Sequence, residues 1–176
     1  SSSAVYGNLP SGNDLLNKYE ILSPYAQDKL SLENYAKMCF DVYTISSIGF
    51  RFFNVYGPRQ DPLNPYSGVI SIFIDKLNKN ESVTINGGYQ TRDFIYVEDV
   101  AQVLINSMDL FSKDPFFNIY NLGTGISTKI DDLLTLIAKI MNVNPKIVYD
   151  KLPKGDPEVS SGGFEKLRTK LNIDCF

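Results

Sequence analysis

Apolar and polar positions follow two different rhythms along this chain. Leu32, Tyr35, Ala36, Cys39 and Tyr43 recur at the three-to-four-residue spacing that gives a helix one apolar stripe. Ser23 offers that helix an N-cap, and Pro24 suits the first helical position, where no amide partner is needed. The stretch "SSIGFRFFNVYG" is nearly continuous in apolar character until Gly57-Pro58, the habit of a strand covered on both faces in a parallel sheet. Residues 57–67, rich in Pro, Gly, Asp and Asn, read as loop. Helical rhythm returns at Val69, Ile70, Phe73 and Leu77.

"SVTINGG" predicts a short strand with an Asn-Gly turn, and "TRDFIYV" a further strand. A helix is expected over 98–111, a strand at "FNIYNLG", and a helix capped by Ser127 or Thr128 that runs to about Asn142. "KIVYD" is the last clear strand, and 164–171 a last short helix. The opening "SSSAVYG" reads as the end of a strand already in progress, so the chain is expected to lack the start of its domain. Strands alternating with helices indicate an α/β protein whose sheet is mostly parallel in its first part.

Composition narrows the chemistry. A chain of 176 residues with 43% hydrophobic and 21% charged residues can bury a core of ordinary soluble type. A net charge of −3 supplies no basic field, so neither nucleic acid nor an anionic membrane is expected as partner. No apolar run approaches the length of a membrane span, and no signal peptide is read. Cys39 and Cys175 are read as free thiols of a reducing compartment, hence a cytoplasmic protein. The chain has no histidine, which removes Ser-His-Asp and Cys-His nucleophiles and histidine-based metal sites together. No metal site is expected. Proton chemistry falls to Tyr, Lys, Cys or carboxylates.

Tyr25 and Lys29, in "SPYAQDKL", are four residues apart near the start of the first helix and so share a face. Tyr-x-x-x-Lys alone is a weak signal. Its surroundings are more specific: a serine cluster before it, then "RFFNVYGPRQ", "TRDFIYVEDVA" and "YNLGTG" in that order. This series resembles the extended short-chain dehydrogenase/reductase family, in particular its NAD-dependent nucleotide-sugar epimerases and dehydratases. The likeness runs from Ser1 to about Leu171.

The resemblance implies the C-terminal part of a Rossmann-like, doubly wound parallel sheet plus a small α/β substrate-binding domain, with the glycine-rich N-terminal half absent. Residues 1–60 would be what remains of the NAD-binding domain. Residues 61–176 would be mostly substrate-binding, with some segments returning to the sheet. By position, Ser2, Tyr25 and Lys29 match the catalytic triad. Tyr25, Lys29 and Phe52 match residues beside NAD. Ser3, Asn54, Val69, Val83, Ile85, Arg92, Asp156 and Ser160 match residues around a UDP-sugar, with Asn54 and Arg92 on its diphosphate and Val83 and Ile85 near its base. Family members commonly form homodimers through the Tyr-Lys helix and the one before it.

The chemistry is consistent with that pairing. Lowering a phenol's pKa from about 10 to about 7 takes roughly 4 kcal/mol. An ammonium about 5 Å away supplies roughly 3 kcal/mol at an effective dielectric of about 20. The positive nicotinamide ring would provide the rest, so Tyr25 is expected to act as a base only beside NAD.

Dehydratases of the family carry Thr-Asp-Glu where this chain has Ser2-Ser3-Ala4, so elimination of water is not expected. The resemblance instead implies epimerisation at C4 of UDP-glucose/galactose or their N-acetylated forms, a part of nucleotide-sugar metabolism and polysaccharide biosynthesis. Ser160 falls where bulk limits the sugar pocket, and a serine leaves room for an N-acetyl group. Two departures stand out. Pro153 replaces a common arginine, with Lys154 beside it, and the glycine-rich phosphate loop of the family is not found in these residues. Another nucleotide-sugar enzyme of the family, such as UDP-glucuronate decarboxylase or a dehydratase, remains an alternative, as does a catalytically inactive, nucleotide-sugar-binding fragment.

Overall fold

In a computed structural model of the chain, residues 1–9, 12–16, 18–64, 67–112 and 114–172 are described. Ser23 opens the longest helix, α1 (Pro24–Tyr43): its hydroxyl accepts the Ala26 amide at 3.2 Å, and Pro24 takes the first turn. Thr44 ends α1 in the left-handed region (φ 58), its amide returning to the Cys39 and Phe40 carbonyls. Strand β1 (Ser47–Phe52) follows, and after a break at Phe53 comes β2 (Asn54–Tyr56). Helix α2 spans Val69–Asn78, β3 Val83–Asn86, β4 Thr91–Arg92, β5 Phe94–Tyr96 and α3 Val97–Ser107. Strands β6 (Phe117–Leu122) and β7 (Thr128–Lys129) precede α4 (Ile130–Met141). Strands β8 (Ile147–Asp150) and β9 (Val159–Ser160) lead to α5 (Glu165–Leu171).

Pairing is mostly parallel. β1 runs beside β6, from Ser47 opposite Phe117 to Phe52 opposite Leu122, and β2 runs beside β5. β3 pairs in parallel with β8, while β4 lies between antiparallel β7 and parallel β9. Three apolar clusters result. Phe50, Ile95, Val103, Leu122 and Leu167 pack between the β1/β6 and β2/β5 pairs, α3 and α5. Phe73, Val83, Ile85, Leu134 and Ile137 join α2, β3 and α4. Val5, Tyr6 and Phe53 form a smaller cluster with Leu9, Tyr19, Ile21 and Leu30.

A buried polar knot binds the first twenty residues to this frame. Arg51 of β1 grips Glu33 of α1 with two bonds of 2.8 and 2.6 Å, and donates to the hydroxyls of Tyr6 and Tyr19. Tyr6 in turn donates to Asn121 of β6 at 2.6 Å. Burial raises the Tyr6 pKa to about 12 despite the neighbouring guanidinium.

Several expectations are corrected. In "SSSAVYG" the strand character ends at Ser2, which bridges in parallel to Phe52, and Ser3–Tyr6 form a 3₁₀ turn capped by the Ser2 hydroxyl. The α1 stripe is not the buried face. Leu32, Tyr35 and Tyr43 are exposed, while Ala26 and Glu33 are buried, because the helix docks through the Glu33–Arg51 pair. Neither Ser127 nor Thr128 caps α4, since Thr128 is drawn into the sheet opposite Arg92 and the helix begins at Ile130. The Asn-Gly turn closes no hairpin: after Gly87 and Gly88, both at positive φ, the chain leaves β3 and Thr91–Arg92 pair elsewhere. "TRDFIYV" is two strands, broken at Asp93. Cys175 lies outside the described residues.

Candidate active site

The first turn of α1 presents Tyr25 outward, 55% exposed. Lys29, one turn later, holds its Nζ 5.2 Å from the centre of the Tyr25 ring. The shared face expected from their spacing is therefore present, and the phenol is not packed into the interior. Tyr25 and Asn54 line one cleft of about 830 Å³, walled also by Phe53, Gln60, Ile70 and Phe94. A space of that size suits a ligand of cofactor or nucleotide dimensions.

Ser2 stands beside Phe52 through a parallel bridge, which brings the serine cluster to the end of β1. Its hydroxyl oxygen accepts the Ala4 amide at 3.2 Å, so its hydrogen is left for another acceptor. Ser3 lies half-buried in the same turn. Phe52 is half-buried and packs on the β1/β6 cluster.

A second group forms around β4. Arg92 and Ser160 sit side by side on β4 and β9. The Arg92 guanidinium meets Asp156 at 2.5 Å and also donates to the Thr91 carbonyl at 2.8 Å. Asn54 connects the two groups. Its backbone amide and its side-chain Nδ2 both donate to the Asp93 carbonyl, at 2.9 and 3.2 Å, next to Arg92. A primary amide has two N–H groups, so one is left for a ligand.

Asp93, not among the expected site residues, holds this junction together. It is fully buried, and its carboxylate accepts the Thr124 amide at 2.9 Å, the Thr124 hydroxyl at 2.7 Å and the Gly125 amide at 2.8 Å. Burial raises its pKa, and those donors partly oppose the shift. Gly123 is required here, since a Cβ would sit 2.7 Å from the Asp93 carboxylate. The signal in the sequence was an aspartate flanked by strand residues in "TRDFIYV", facing "LGTG" downstream. Asp28, which also lines the cleft, was missed as well, although it lies three residues after Tyr25 and therefore near the same face.

Val83 and Ile85 do not fit their expected place beside a base. Both are enclosed in the α2/β3/α4 cluster, at 0% and 1% exposure, because strand alternation turns them to the core and Thr84 and Asn86 outward. Val69 is half-buried at the start of α2 and packs against the same cluster, with its neighbours Gly68 and Ile70 reaching the cleft.

Residues 1–123 match the NAD dependent epimerase/dehydratase family. The chain belongs to that family. A Methanocaldococcus jannaschii protein with a provisional UDP-glucose 4-epimerase name is 43% identical over 161 residues, which is 89% of this chain and 50% of that protein. The solved UDP-N-acetylglucosamine 4-epimerase of Methanobrevibacter ruminantium, in complex with UDP-N-acetylmuramic acid, is 35% identical with a TM-score of 0.88. The alignment covers 100% of this chain and 56% of that one. The UDP-glucuronic acid 4-epimerase of Bacillus cereus, solved with UDP-glucuronic acid and NAD, superposes with a TM-score of 0.90 at 27% identity, covering 100% of this chain and 55% of that one. This member of the family thus spans about half the length of these relatives.

Proposed function

We propose that this epimerase-family chain serves the NAD-dependent inversion of C4 in a UDP-sugar through a transient 4-keto sugar. The observation that carries the reading is the Tyr25–Lys29 pair opening onto a cleft shared with Asn54. The three similar proteins differ in sugar, but their names share UDP and position 4.

The exposed phenol and the ammonium beside it fit a nicotinamide cofactor, which needs a proton acceptor at the carbinol and a cation near its ribose. Bound NAD would supply the hydride acceptor and donor for C4, held beside Tyr25 and Lys29. Tyr25 takes the proton of the 4-hydroxyl and later restores it, with Lys29 stabilising the phenolate. Ser2 donates its remaining hydrogen to the same sugar oxygen. The free N–H of Asn54 and the fork of Arg92 hold the diphosphate, which requires Arg92 to share or release Asp156. Residues 1–60 serve the cofactor side and 61–176 mostly the substrate. Ser160 beside Arg92 leaves space for an N-acetyl group, so both UDP-glucose and UDP-N-acetylglucosamine are read as substrates. The exposed Leu32, Tyr35 and Met38 of α1 support a homodimer through that helix. The half-buried free thiol of Cys39 is in keeping with a cytoplasmic location, and the product would feed polysaccharide biosynthesis.

The test is conversion of UDP-glucose to UDP-galactose, and of UDP-N-acetylglucosamine to its galacto form, by the protein loaded with NAD. Interconversion of both pairs is expected. No interconversion of either would overturn the reading, and a strict preference for the smaller sugar would remove the role of Ser160.

A further inference from the structure

The cleft that Tyr25 and Asn54 share carries one carboxylate, and neither Lys nor Arg, among its described lining residues. Asp28 stands at the third position after Tyr25 on α1, exposed to the cleft. No described residue bonds or pairs with its carboxylate. The rest of the lining is aromatic, aliphatic or neutral-polar, with Tyr25, Asn54, Tyr56 and Gln60 as its hydrogen-bonding side chains. Arg59 lies in an adjoining groove that shares Tyr56, Gln60 and Ile70 with the cleft.

We propose that Asp28 sets specificity at this site: its carboxylate selects UDP-sugars with a neutral hydroxymethyl at C5 and repels those with a carboxylate there. The proposal rests on the UDP-sugar reading above. An unpaired carboxylate is an acceptor without a donor, and sugar hydroxyls are donors. A uronate brings a second negative charge into the same cleft, where like charges repel. Because Asp28 is exposed, solvent weakens that repulsion, and about a tenfold discrimination is the expected scale.

UDP-glucose and UDP-glucuronic acid share uridine and diphosphate, so the ratio of their affinities isolates the C5 substituent. Calorimetric binding of both to the NAD-loaded protein should favour UDP-glucose by about tenfold at low salt, with the preference shrinking at high salt. In Asp28→Asn the ratio should fall toward unity, mainly through tighter binding of the uronate. In Asp28→Glu the preference should persist. Arg59→Ala should leave the ratio as it is. A ratio unchanged in Asp28→Asn, or a selective loss of the uronate in Arg59→Ala, overturns the proposal. Binding is read apart from turnover. A charge preference lost in Asp28→Asn without any epimerisation would sink the C4 reading and leave the role of Asp28 standing. Failure of both nucleotide sugars to bind would sink both.

Discussion

Lys29 Nζ lies 5.2 Å from the centre of the Tyr25 ring, one turn along α1. If Tyr25 is the proton acceptor, Tyr25→Phe should lower kcat by about 10²- to 10⁴-fold while leaving the affinity for UDP-sugar nearly unchanged. Lys29→Met should also lower kcat, and should weaken NAD binding as Tyr25→Phe does not. Steady-state kinetics with cofactor titration separates the two effects.

Arg92 is paired with Asp156 at 2.5 Å, so the diphosphate proposed to bind there would compete for the guanidinium. Arg92→Lys keeps the charge but loses the fork, and should raise the Kd for UDP by about 10- to 100-fold, the worth of one charge-assisted bond. Fold stability should change little, because Asp156 is 40% exposed in this pair. Titration with UDP and a thermal melt check both halves.

Asp93→Asn replaces an acceptor by a side chain that turns an N–H₂ or a single carbonyl oxygen toward three donors. Leaving a buried donor unmatched costs about 1–3 kcal/mol, and chemical denaturation should show a loss of that size. Affinity for UDP should fall as well, since Asn54 and Arg92 both take their positions from this junction.

Glu33 and Arg51 are both buried and bonded twice. Arg51→Met alone should destabilise the chain by about 3–5 kcal/mol, because it strands a buried carboxylate. The double change Arg51→Met with Glu33→Leu should recover much of that loss, and a double-mutant cycle measures the coupling.

Tyr6 has a pKa raised to about 12 by burial, above the ordinary phenol value of 10.0. The folded chain therefore keeps this proton where the unfolded chain loses it. The stability this confers is complete below about pH 10 and is lost as pH rises through 12. Spectroscopic titration should show the Tyr6 phenol among the late-ionising tyrosines, together with alkaline unfolding. Tyr6→Phe should remove that late step.

Much of the architecture was legible because burial and periodicity agreed. The β1/β6 pair sends Phe50, Tyr120 and Leu122 into one core, and α2 shows its stripe at Val69, Ile70, Phe73 and Leu77, as a helix against a core must. The α1 stripe misled because apolar spacing says that a face is apolar, not that this chain covers it. Asp93 and the Arg51–Glu33 pair were not legible as structural centres, because both depend on partners distant in sequence, Thr124 for one and α1 for the other. The short strands β7 and β9 carry no pattern of two residues' length and exist by pairing with β4. Tyr25 and Lys29 were placed correctly relative to each other, since helical geometry alone fixes that. The inward turn of Val83 and Ile85 came from strand parity, which a motif match does not see.

The Asp93 cage is built entirely from the chain's own Thr124 and Gly125 groups. The backbone between the Arg92 guanidinium and the Asn54 amide is therefore held by the fold itself, and a diphosphate bound there as proposed would take little further freedom from it. Recognition at this junction should then resemble docking onto a fixed template, with slow release governed by bond breaking rather than by loop opening.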